Sequence, residues 1–137
     1  DYVENITERL SLYTQLDDCE KEEQLQEFST KLEDRFGKIP KPVQYLFDAL
    51  RCRWRAVELG FERLVFKNKQ LKLYFINNPE SPYFESETFQ RILHHVQKSL
   101  KLARVKNTGK QLLLTVESIG SLREAQDVLD MLARVDE

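Results

Sequence analysis

Glycine and proline are scarce, at 4 residues each in 137. That is roughly half their usual share, and it favours helices over a turn-rich β fold. Cysteine is scarcer still: Cys19 and Cys52 cannot build a disulfide framework, and they lack the CxxC spacing of zinc and redox sites. A reduced, cytoplasmic setting is the expectation. An excess of one charge is also missing, since 21 basic residues face 23 acidic ones for a net −2. With 41% hydrophobic and 10% aromatic residues, the composition lies outside the disordered class. No apolar run approaches the roughly 20 residues of a membrane helix. No signal-peptide pattern is read at the start, and the first residues look mid-sequence, so an excised piece of a longer protein is expected.

Catalytic signatures are absent too. The Gly-Lys pair Gly109-Lys110 is followed by Gln111 and has Arg104 where a P-loop needs its first glycine, and Gly37-Lys38 is followed by Ile39. There is no GxGxxG. His94 and His95 are adjacent on a predicted helix, so their side chains diverge by roughly 100° and cannot share a metal. Both are expected to be partly exposed, and Cys52 is expected to be an inert, partly buried thiol. No nucleophile–base set suggests a hydrolase. The chain is read as a non-enzyme with no cofactor or metal site and no membrane partner.

What is present is a clear order of periodicities. Residues 5–17 predict a helix, with Asn5 as N-cap, Glu8 completing a capping box, and Ile6, Leu10, Tyr13 and Leu16 at helical spacing. Residues 21–36 predict a second, with Leu25, Phe28, Leu32 and Phe36 on its apolar face and Gly37 at its end. Residues 42–59 predict a third, with Val43, Leu46, Leu50, Trp54 and Val57 as its stripe, Phe47 widening it, and Gly60 as terminator. The period then drops to two. Leu64 and Phe66, then Leu71, Leu73 and Phe75, alternate with polar neighbours around an Asn68-Lys69 turn. A loop over 77–82 precedes a fourth helix, 86–100. Ala103 and Val105, a turn at 107–110, and Leu112, Leu114 and Val116 predict a second hairpin. Ser121 caps a last helix, with Glu124 three residues on. The fold class is therefore α+β: three N-terminal helices followed by two ββα units, forming a small antiparallel four-stranded sheet with helices on one face. The length suits one domain spanning 1–137.

Charge is segmented. Residues 1–48 sum to −6, residues 49–110 to +8 and residues 111–137 to −4. Two basic clusters lie in the middle segment. Arg51 and Arg55 share a helix face around Trp54, which belongs to the core stripe, and Arg55 stands three residues from Glu58. Lys98, Lys101, Arg104, Lys106 and Lys110 form a second run. Each cluster is either a solvated face or an accessory nucleic-acid patch, although a pI near 5.8 argues against a dedicated DNA binder.

Asp34-Arg35-Phe36-Gly37, with Pro40 after it, carries the most information. Asp34 falls in the last helical turn, where a carboxylate faces the negative end of the helix dipole at a cost of about 0.3–1 kcal/mol. Arg35 or a cation from elsewhere must offset that. The alternatives are an internal ion pair that fastens the helix end and a charged hook that docks an arginine-bearing partner.

These residues resemble the C-terminal domains of bacterial transcription-repair coupling factors. The likeness rests on Tyr2-Val3, Arg9-Leu10, Tyr13, Glu23, Leu25 and Leu32, then Asp34-Arg35-Phe36-Gly37, Ile39-Pro40, Ala56 and Leu59-Gly60. It is dense over residues 1–60 and only a pattern of elements beyond. The resemblance implies a regulatory domain of an ATP-driven DNA translocase whose motor and polymerase-binding module lie in other domains. It implies that this domain docks on a UvrB-like module of the same protein and masks its surface for UvrA until the protein engages stalled RNA polymerase on DNA. DNA would be contacted only through other domains. In that reading Asp34 pairs with an arginine of the UvrB-like module, Arg35 supports it, and Lys31, one turn earlier, departs from the acid that a basic partner favours.

Overall fold

A computed structural model describes residues 2–135. Its elements run α1 (Ile6–Asp17), α2 (Glu22–Phe36), α3 (Lys41–Glu58), β1 (Phe61–Lys67), β2 (Gln70–Phe75), α4 (Glu87–Ser99), β3 (Ala103–Asn107), β4 (Leu112–Val116) and α5 (Leu122–Leu132). This is the expected α+β order. One addition is a 3-10 turn at Pro82–Glu85, where a plain loop was expected, started by the Ser81 hydroxyl accepting from the Tyr83 amide at 3.2 Å. Among the described residues no helix is long and apolar enough to cross a membrane. The chain forms two compact units, Asp1–Trp54 and Arg55–Glu137, and the division falls inside α3.

The first unit is built on apolar helix faces. Leu16, Cys19, Leu25, Phe28, Leu32, Ile39, Phe47 and Leu50 form one buried cluster. Phe28 meets Phe47 edge-on at 6.2 Å, the arrangement that ring quadrupoles favour. The Trp54 indole N–H donates to the Cys19 carbonyl at 3.2 Å, so Trp54 packs rather than waiting for a base. Two expected apolar faces are only partly buried. On α1, Leu16 is buried, but Ile6, Leu10 and Tyr13 are 68%, 61% and 47% exposed. Their spacing makes an apolar stripe, but α1 turns Leu12 and Leu16, not that stripe, toward the cluster. On α3, the expected Phe47 and Leu50 are buried and Val43, Leu46 and Trp54 pack against the cluster, but Val57 is 67% exposed, and Cys52, Ala56 and Leu59 are buried in addition.

The second unit is ordered by strand register. All strand pairs are antiparallel, in the order β1-β2-β4-β3. The β1–β2 turn places Asn68 and Lys69 at φ 53° and 60°, the two positive values that a type I′ hairpin needs. Leu64 and Phe66 pair with Leu73 and Leu71, which pair in turn with Leu114 and Val116. Side chains alternate along a strand, so these residues share one face. The helices cover it: Phe89 of α4 meets Phe75 edge-on at 5.4 Å, and Ile92, Leu129 and Leu132 are fully buried. Each such side chain contributes roughly 1.5–3 kcal/mol by leaving water. The intervening residues face the other way. Across the sheet they read Arg63, Tyr74, Leu113, Lys106 in one row and Val65, Lys72, Thr115, Arg104 in the next.

His95 corrects an expectation. It is 2% exposed, and its Nε2 donates to the Arg134 carbonyl at 2.8 Å. It lies three residues from buried Ile92 and beside buried Val96, on the inner face of α4. His94 is exposed as expected.

Gly60 closes α3 at φ 89°, in the left-handed region. A Cβ there would lie 2.2 Å from Cε1 of Tyr83. The Tyr83 hydroxyl donates to the Leu59 carbonyl at 2.5 Å, and burial pushes this phenol up to about 12. Gly60→Ala should therefore cost about 2–4 kcal/mol, from left-handed strain and a ring clash together. Urea unfolding measures it. In a Tyr83→Leu background the penalty should shrink measurably, because the clash is removed and the two substitutions share one contact.

Candidate functional site

The C-terminal end of α2 is held by several groups from its own unit. The Gly37 amide donates to the Glu33 carbonyl at 2.8 Å, and Gly37 leaves the helix at φ 87°. The Tyr2 hydroxyl donates to the Gly37 carbonyl at 2.5 Å, and its ring stands 5.8 Å from that of Phe36. Burial, followed by the charge of Glu33, raises the Tyr2 phenol above its ordinary value. The carboxylate of Glu8 accepts from the Arg35 guanidinium, whose carbon also lies 4.9 Å over the Phe36 ring. Arg35 therefore ties α2 to α1.

That arrangement alters two expectations. Asn5 caps α1, its Oδ1 accepting from the Glu8 amide at 3.0 Å, but the Glu8 side chain is turned to Arg35 instead of closing a capping box. Arg35 does not neutralise Asp34 either. Asp34 and Lys31 are exposed, and among the described residues neither forms an ion pair. The structure thus brings Lys31, Asp34 and Arg35 together on one helix end. Two of the three carry charges that nothing within the unit engages.

A cleft of about 180 Å³ opens between the helices of this unit, lined by residues including Tyr2, Arg9, Leu12, Tyr13, Phe28 and Val43. Tyr13 belongs both to its wall and to the exposed stripe with Ile6 and Leu10. Helical periodicity marked these residues as apolar, but not as outward-facing.

The arginines of α3 are committed to partners. Arg51 grips Glu22 of α2 with both arms, Nε to Oε1 at 2.8 Å and Nη2 to Oε2 at 2.9 Å, and reaches Asp48 at 3.0 Å. Arg53 stands 4.0 Å from Asp17. Arg55, in the second unit, bonds Asp130 of α5 and Glu58, each at 2.9 Å. Lys98 and Lys101 are exposed at the end of α4 and just after it. Among the described residues no group of three or more His, Cys, Asp or Glu could hold a metal.

The Arg51 hydrogen bond is the largest influence on Glu22 and holds its carboxyl below the ordinary carboxylate value of 4.5. A depressed pKa adds stability above the unfolded-state value, and that stability is lost as pH falls through the folded-state value. At neutral pH, Glu22→Gln should cost about 0.5–1 kcal/mol, the range for a solvent-exposed, bidentate pair. The difference between wild type and variant should vanish once acid protonates Glu22. Denaturant unfolding at neutral and acid pH reads both.

A family model described as the TRCF domain matches residues 1–86. The transcription-repair-coupling factor of Escherichia coli strain K12 is 36% identical to this chain over 64 residues, 47% of the chain. That stretch is 6% of the relative, so the chain spans a small fraction of that protein. A solved structure, the C-terminal domain of a transcription-repair coupling factor, superposes with a TM-score of 0.74 over 96% of this chain and 83% of the other. At 16% identity, that likeness establishes a shared fold.

Proposed function

The chain belongs to the TRCF domain family, and on that premise we propose that it is a non-catalytic regulatory domain within a bacterial coupling factor. The two units act together as one domain, which docks on a UvrB-like module of the same protein. Docked, it covers the surface through which that module takes UvrA. The ATP-driven motor, the DNA contacts of translocation and the contacts to RNA polymerase belong to other domains of the parent protein, in the cytoplasm. Engagement with stalled polymerase releases the domain and frees the module for repair.

One observation carries this reading. The end of α2 is rigidly built, yet Asp34 and Lys31 are left exposed and unpaired among the described residues. A carboxylate at the negative end of a helix dipole is unfavourable alone and becomes favourable when a partner supplies a cation. Residues 1–48 sum to −6, which suits a basic partner surface. The exposed stripe of Ile6, Leu10 and Tyr13 adds apolar area on the same unit. The interface stays modest, as release requires: a contact of a few kcal/mol opens readily, whereas an obligate hydrophobic one does not.

The test uses the intact factor that contains this domain. Asp34→Ala should raise capture of UvrA about fivefold to tenfold, the equivalent of one lost charge pair of about 1–1.4 kcal/mol. Lys31→Glu, which restores the acid a basic partner favours, should lower it. UvrA capture that stays unchanged in Asp34→Ala and also on deletion of residues 1–137 would overturn the masking role.

A further inference from the structure

The second unit carries a face that this masking role leaves unused. Of the rows that point away from the helices, β1 contributes Arg63 and Lys67, β2 contributes Lys72, and β3 contributes Arg104 and Lys106. Arg63, Lys67, Arg104 and Lys106 are exposed and Lys72 is half-buried. Among the described residues none of the five forms an ion pair, in contrast to Arg35, Arg51, Arg53 and Arg55. Their spacing is set by the sheet. Direct cross-strand neighbours stand about 5 Å apart and alternate positions along a strand nearly 7 Å apart. No two of the cations are directly paired: Arg63 faces Tyr74, Lys72 lies between Val65 and Thr115, and Lys106 faces Leu113. Five like charges are thus held in a fixed grid with neutral residues between them. Two acids border this side: Glu62, at the β1 bulge beside Arg63, accepts from the Gln111 amide at 3.1 Å, and Glu117, beyond β4, accepts from the Gln70 amide at 2.6 Å.

We propose that the cations of this sheet face, which frame the buried Leu113 and Thr115, bind the phosphate backbone of double-stranded nucleic acid. A grid of uncompensated cations of fixed spacing matches a regular polyanion, and releasing its counterions drives binding. The face is poorly made for a single strand, which is usually held by bases stacked on free aromatic rings. Tyr74 is the aromatic residue on this face, and the Arg63 guanidinium already covers it, 4.6 Å from the ring centre. A duplex has its bases stacked internally and presents phosphates outward. The contact is therefore to the backbone and independent of sequence. Such a face adds a weak hold on DNA to whatever the other domains supply.

Fluorescence anisotropy of the 137-residue chain with a short fluorescein-labelled DNA duplex tests this. At about 50 mM salt the duplex should bind, and log K should fall against log salt with a slope of about −2.7 to −4.5, for three to five phosphates. Arg104→Gln/Lys106→Gln, on the exposed edge strand β3, should weaken binding at least tenfold and reduce the slope by about 1.8. Arg63→Gln/Lys67→Gln, on the opposite edge, should do the same, and provides an independent reading if the first pair unfolds. Lys98→Gln/Lys101→Gln, at the end of α4 and just after it, should leave binding unchanged. No binding of the duplex at about 50 mM salt overturns the proposal. So does binding that survives both sheet variants, or that is lost in the Lys98→Gln/Lys101→Gln variant. Equal affinity for polyglutamate at matched charge would assign the face to an acidic protein instead, and tighter binding of the single strand would overturn the duplex assignment.

Discussion

The second unit depends on one constraint, the register of β2 against its neighbours. Leu71 and Leu73 must lie opposite Phe66 and Leu64 on one side and Val116 and Leu114 on the other. Because side chains alternate with a period of two, a slip of β2 by one residue would turn Leu71 and Leu73 to water and Lys72 under the helices. Burying even one unpaired ammonium costs several kcal/mol, so the alternative register is excluded by charge as strongly as by lost apolar burial. The same alternation that builds the core therefore also collects the cations on the opposite side. The core and the basic face are two consequences of one pattern.

In the first unit the corresponding constraint is how α2 ends. Gly37 enters the left-handed region, Tyr2 donates to its carbonyl, and Glu8 draws Arg35 toward α1. Once Arg35 is committed there, the adjacent Asp34 forms no ion pair among the described residues, and the unfavourable dipole contact stays uncompensated. A purely structural helix end would bring a lysine or arginine to that carboxylate. Leaving it open costs a little stability in the isolated unit, which a docked partner with a cation would return. The two-armed grip of Arg51 on Glu22 keeps α2 against α3 meanwhile, so the open end is presented on a rigid element.

Much of this was legible in the sequence, for physical reasons. Helix and strand periods are local properties, and the structure has the expected order of elements, including the Asn68-Lys69 turn. The failures share a different cause: a period identifies an apolar stripe without saying which element covers it. Ile6, Leu10 and Tyr13 have faultless helical spacing, yet of that stripe the unit buries only Leu16 and packs the half-buried Leu12 beside it. His95 departs from the expected exposure because the stripe read for α4 leaves out a polar residue that the helix turns inward. Its spacing from Ile92, three residues, already placed it on the inner face. Arg63, Lys67 and Lys72 were visible only as the polar half of an alternation. Their convergence with Arg104 and Lys106 depends on the β2–β4 pairing, a long-range contact with no local signature.

The near-neutral total of −2 can then be traced to two opposite uses of charge. On helices, residues three or four apart and residues on packed neighbours can satisfy one another, and Arg51 with Glu22 and Asp48, or Arg55 with Glu58 and Asp130, do so. A sheet face offers each side chain only direct and diagonal cross-strand partners, and here the register fills those places with Tyr74, Leu113, Thr115 and Val65. The cations remain uncompensated while being kept from direct opposition, where repulsion would cost most. A surface shaped only by solubility would intersperse acids among them. Their exclusion from the two central rows is the feature that stability alone does not explain, because one glutamate at half-buried Val65 would pair with Lys72 without disturbing the leucine face.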